Sequence, residues 1–226
     1  MVDYNAAFKK PFLDIKNLAI GVVLSILPII SWFATGYMLE CTGLTKKKLA
    51  LGKSPEWTGW GDLFVKGLLS FAIGLVYMLP GIIIFAVGVL PAVWVIIKES
   101  LLTAMTGSSE QFVMQNWDKL IPVIITVIPF IVLAVLLFLL AAYLVPMAVM
   151  NYLSNDRFGA GFAFGKIFRK AFTGTYFVAW FLAGLIAAGV GFVASVIPYI
   201  GGPIGSFIGG VMSYTILGQA YKEIKG

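Results

Sequence analysis

Between Lys170 and Lys222 the chain carries no charged side chain. Water cannot solvate so long an apolar stretch, so any fold must either bury it or hand it to lipid. The stretch divides at Ile197-Pro198-Tyr199-Ile200-Gly201-Gly202-Pro203. On either side, 174–197 and 201–221 are each long enough to cross a hydrocarbon core of about 30 Å at about 1.5 Å per helical residue. The pattern predicts a membrane helical hairpin. Its second limb places Gly201, Gly205, Gly209 and Ser213 four residues apart, and its first limb answers with Ala183, Ala187, Gly191 and Ser195. Small residues at that spacing form one flat stripe per helix. Two such stripes let backbones approach closely in a solvent where apolar side chains gain nothing by clustering.

The remainder of the chain has the same character. It is 60% hydrophobic and 12% charged over 226 residues, where soluble domains carry about 25% charged residues. With no hydrophilic block long enough for a second domain, 1–226 reads as a single integral membrane domain. The net charge of +6 comes from basic residues set between apolar runs, which suits anionic lipid headgroups and not nucleic acid. The opening residues lack the short apolar core and small-residue cleavage site of a signal peptide, so the mature chain is expected to start near Met1.

In chain order, Tyr4, Phe8, Pro11, Phe12, Ile15 and Leu18 share one helical face, with Lys9, Lys10, Asp14 and Lys16 beside and behind it. This predicts an interfacial helix over 4–18. The next run, 18–41, is divided by Pro28, with Lys9, Lys10 and Lys16 before it and Lys46, Lys47, Lys48 and Lys53 after it. A single crossing would put one basic cluster on the wrong side. The run therefore reads as a re-entrant hairpin bent at Pro28, with one kinked span as the alternative. Trp57, Trp60, Phe64, Leu68 and Phe71 then share a face, as an aromatic belt at the lipid boundary would; a binding site built on Asp62 and the tryptophans is the other reading.

Residues 63–97 carry one charge, Lys66, and would make a helix of about 52 Å, too long for one crossing. Pro80-Gly81 is expected to break it into spans 63–79 and 82–97. A polar loop containing Thr106-Gly107-Ser108-Ser109 follows, then a span over 120–146 ending near Pro146. Over 158–172, Phe164, Ile167, Phe168, Ala171 and Phe172 face away from Lys166, Arg169 and Lys170, which predicts a second interfacial helix.

The two ends of the chain also resemble each other. Ala7-Phe8-Lys9-Lys10-Pro11-Phe12 aligns with Ala163-Phe164-Gly165-Lys166-Ile167-Phe168, and Ser25-Ile26-Leu27-Pro28-Ile29-Ile30 with Ser195-Val196-Ile197-Pro198-Tyr199-Ile200. Both copies read as interfacial helix, apolar limb, proline corner, apolar limb. Trp57-Thr58-Gly59-Trp60-Gly61-Asp62-Leu63-Phe64-Val65-Lys66-Gly67, the two proline corners and Leu217-Gly218-Gln219-Ala220-Tyr221 together resemble the membrane family known as domain of unknown function 4013, common in archaea. The resemblance implies a multi-pass helical membrane protein without an established activity, and carries over no catalytic residue.

Chemistry-bearing patterns are few. There is no His, Cys41 is the only cysteine, and no Gly-rich phosphate loop ends in Lys-Ser or Lys-Thr. No cofactor or metal is implied. Glu40 and Gln219 sit at helix ends, where snorkelling accounts for them. A membrane enzyme would need a carboxylate pair such as Glu40 with Asp62 in one cavity. No charge lies mid-span to relay an ion. The expectation is therefore an all-α polytopic protein of the cell membrane with five or six membrane-embedded helices: 18–41, 63–79, 82–97, 120–146, 174–197 and 201–221. It would be a non-catalytic component that contacts lipid and self-assembles, or joins a membrane complex, through its small-residue faces. The alternative is a channel or carrier for a small neutral or apolar solute.

Overall fold

The computed structural model describes residues 2–105 and 117–224, which form helices and turns with no strand among them. The helices are α1 (Tyr4–Lys9), α2 (Ile15–Leu24), α3 (Ser31–Glu40), α4 (Trp60–Met105), α5 (Trp117–Asn155), α6 (Phe164–Ala171), α7 (Gly174–Ala194) and α8 (Gly201–Glu223). Short 3-10 turns, Lys10–Phe12 and Phe158–Phe162, follow α1 and precede α6. Where the sequence reads as one domain, the chain packs as two compact units, 1–74 with 143–226, and 75–142. Among the described residues three segments are long and apolar enough to cross a membrane: Trp60–Leu101, Ile121–Asn155 and Gly174–Ala194. Helix α8 is long enough at 23 residues but is diluted by Gly, Ser and Thr.

In the first unit, α7 and α8 form the expected hairpin, and α2 and α3 form a smaller one. Ten residues each, about 15 Å, make α2 and α3 shorter than a crossing. The two proline corners share three backbone hydrogen bonds. Ser25 N–H donates to Gly21 O at 3.0 Å and Ser195 N–H to Gly191 O at 2.9 Å. Ile26 N–H reaches Val23 O as Val196 N–H reaches Val193 O, and Ser31 N–H reaches Leu27 O as Gly201 N–H reaches Ile197 O. Nor are the copies apart in space: the rings of Tyr37 and Phe207, equivalent by that alignment, lie 5.7 Å apart. Farther along, Met38 meets Gly210 and Thr42 meets Gly218, so α3 and α8 run parallel.

Two expectations are corrected. Residues 4–18 do not form one helix: Pro11 enters a 3-10 turn, and Asp14 starts α2 afresh by accepting a hydrogen bond from Asn17 N–H at 3.1 Å. Nor does Pro80-Gly81 end a helix, since α4 carries Pro80 and Pro91 in its interior. In the 75–142 unit the glycines of this stretch serve packing. A Cβ on Gly81 would fall 2.7 Å from the Phe138 ring, and one on Gly88 would fall 2.2 Å from Phe130 Cβ. The expected loop at 106–109 lies outside the described residues.

Candidate functional site

Helices α3 and α4 cross with their backbones almost touching. A Cβ on Gly36 would lie 1.9 Å from Leu63 O, and one on Gly67 would lie 2.0 Å from Trp32 O, so only glycine fits at either place. One turn along from this crossing, α3 ends in Glu40 and α4 presents Lys66. The Lys66 ammonium donates to Glu40 Oε1 at 2.5 Å and to Asp62 Oδ2 at 2.6 Å. Thr45 Oγ1 donates to Glu40 Oε2 at 2.6 Å. Glu40 is 1% exposed, so snorkelling is not its role: it is a buried anion held by a cation from a helix 26 residues away. Glu40 and Asp62 do converge, as the carboxylate-pair reading required, but on one ammonium that bridges them.

Beside this junction the loop before α4 is pinned by rings. Trp57 stacks on Tyr37 at 4.3 Å and on Trp60 at 5.5 Å, and its Nε1–H donates to Asn17 O at 3.2 Å. Asn17 Nδ2 in turn donates to Pro55 O at 3.0 Å. Trp57 is therefore a packing residue of the first unit, while Trp60 keeps 44% of its surface exposed.

A cleft of about 400 Å³ opens between α3, α4, α5 and α8. Ser31, Thr35, Ser70 and Tyr214 supply its hydroxyls, and Trp32 and Phe71 its rings. All of these lie in the first unit.

A family model described as protein of unknown function (DUF4013) matches residues 19–199, more than half of the chain. The chain belongs to that family. No curated protein and no solved structure is matched. The family segment contains the whole Glu40, Thr45, Asp62 and Lys66 network and every cleft residue except Tyr214; it ends within the second proline corner, before α8 begins. Family membership and three long apolar helices identify a membrane protein of unknown biochemical role.

The small-residue stripes meet each other within the chain. A Cβ on Gly205 would lie 3.0 Å from Gly191 Cα, one on Gly209 3.2 Å from Ala187 Cα, and Ser213 Oγ donates to Ala183 O at 2.8 Å. A Cβ on Gly201 would lie 2.0 Å from Ala194 O and 3.4 Å from Ser195 Cα; the Ser195 side chain is exposed with its hydroxyl on Phe192 O. Of the expected interfacial residues, Phe8, Phe12, Phe164, Phe168, Lys166 and Arg169 are exposed, whereas Lys170 lies 4.0 Å over the Tyr221 ring. On α6, Ile167 and Ala171 are buried while the phenylalanines remain exposed, so the apolar face is split between protein and surface.

Two buried groups have a role that the sequence does not reveal. Gln219 accepts from Asp3 N–H at 2.7 Å and donates back to Asp3 O, tying α8 to the chain's opening residues instead of snorkelling. Lys10 is 1% exposed, and its Nζ has no hydrogen-bond partner among the described residues. Burial holds its pKa below the ordinary lysine value; Cys41 opposes the shift and Lys222 adds to it. Among the described residues no three Cys, Asp or Glu side chains converge as a metal ion would need.

Proposed function

We propose that this protein is a non-catalytic component of the membrane that assembles with a second copy of itself through the 75–142 helical hairpin. What supports this reading is how little of that hairpin is covered. Among its described side-chain positions only Gly81, Gly88, Ala134 and Ala141 are buried, while Leu90 is 64% exposed and Trp94 68%. The small-residue stripes of α7 and α8 already engage each other, so a second copy must use another face. In lipid these side chains gain nothing by clustering alone, so two copies would hold together along this hairpin through side chains that interdigitate more closely than lipid tails pack against them. Single-molecule photobleaching of labelled protein at low density in liposomes tests the reading. Two-step bleaching is expected, falling to one step in Leu90→Ala/Trp94→Ala; single steps for the native chain at every density would refute it.

Passage of a small neutral solute is the second reading, favoured by the hydroxyl-lined cleft. It requires flux of such a solute into liposomes that contain the protein.

A further inference from the structure

The cleft in the first unit offers an unusual set of partners. Ser31 Oγ donates to Pro28 O at 2.6 Å, Thr35 Oγ1 to Ser31 O at 3.1 Å, and Ser70 Oγ to Gly67 O at 2.8 Å. Each of these hydroxyls has committed its only proton to the backbone of its own chain, so what it can present to the cleft is oxygen lone pairs. Tyr214 makes no hydrogen bond among the described residues, so its hydroxyl is free both to donate and to accept. Trp32, Phe71 and the valines of α5 supply apolar walls. Among the described residues no charged side chain lines the cleft, and Lys66, next to Gly67 in the chain, is already held by Glu40 and Asp62. An ion placed there would have no counter-charge.

From this geometry we infer that the cleft is a binding site for a small uncharged alcohol with a hydrocarbon body. The alcohol donates its one proton to a serine or threonine oxygen, its own oxygen accepts from Tyr214, and its chain lies on the rings. A cavity of about 400 Å³ suits a molecule of about ten non-hydrogen atoms. The inference stands whether or not the protein moves solute and whether or not it assembles.

The test uses the full chain in lipid nanodiscs, with n-octanol carrying an aliphatic diazirine and the matching diazirine-bearing n-octane as probes. After photolysis, mass spectrometry maps the labelled residues. The alcohol is expected to label 31–35 and 67–71, the alkane to miss them, and excess 1-octanol to compete. Thr35→Val/Ser70→Ala removes two acceptors at nearly constant shape and should lower cleft labelling at least about fivefold, leaving labelling of 75–97 unchanged. Equal labelling of the cleft by alcohol and alkane, no labelling there by the alcohol, or no effect of the double substitution would overturn the inference. If that variant does not fold, competition by 1-octanol against octane on the native chain decides.

Discussion

Replacing Lys66 by Met is the sharpest perturbation the junction between α3 and α4 allows. Lys66 Nζ and Glu40 Oε1 are 2.5 Å apart, which at an effective dielectric of about 20 is an attraction of about 7 kcal/mol. Withdrawing two ions from water costs several kcal/mol each, so the intact pair is close to neutral for stability. Breaking it is not neutral. Lys66→Met leaves the Glu40 carboxyl without its cation, 1% exposed and held among the described residues by the Thr45 hydroxyl, which is expected to cost about 3–5 kcal/mol. Glu40→Gln leaves Lys66 with Asp62 at 2.6 Å, a partner whose side chain is 55% exposed, and should cost only about 1–2 kcal/mol. Asp62→Asn, which removes the exposed partner alone, should cost less than about 1 kcal/mol. Glu40→Gln/Lys66→Met removes both buried charges while keeping an acceptor for Thr45, and should recover most of the Lys66→Met loss. Unfolding in mixed micelles with increasing dodecyl sulfate, followed by tryptophan fluorescence, measures all four. Equal costs for Lys66→Met and Glu40→Gln, or a double substitution as costly as the sum of those two, would refute the reasoning.

Three further outcomes follow from other parts of the first unit. Gly201→Ala would place a Cβ 2.0 Å from Ala194 O and should unfold or splay the α7–α8 hairpin, whereas Gly202→Ala meets nothing within 4 Å and should stabilise α8 by up to about 1 kcal/mol in the same unfolding assay. Because burial lowers the pKa of Lys10, the unfolded chain binds the extra proton between the folded and unfolded values. Stability should therefore rise with pH through that window, up to about 10.5, and Lys10→Met should abolish the rise in melts at stepped pH. Trp57→Phe removes the indole donor to Asn17 O and should cost about 1–2 kcal/mol, with a matching loss of amide-exchange protection around 15–21.

The α7–α8 hairpin could be read from the sequence because its signals are local: charge-free limbs, a proline corner, and small residues four apart. Its pairing of Gly205 with Gly191 and Gly209 with Ala187 follows from that spacing. The match between the two corners was visible as a short alignment and reappears as shared hydrogen bonds. What the sequence concealed depends on distant partners. Glu40 looked like a helix-end charge because nothing near it announces Lys66, and Trp57 looked like a belt residue because Tyr37 and Asn17 lie in other elements. Pro80-Gly81 misled for another reason. In water the pair usually punctuates, but a helix in lipid retains its path through proline, and Gly81 supplies room for Phe138.

The paired hydrogen bonds between Asp3 and Gln219 join positions 216 residues apart. Asp3 is made long before its partner exists, so this pairing must wait until α8 has been made. Closing of the first unit thus depends on an early segment meeting a late one, with α8 acting as the latch.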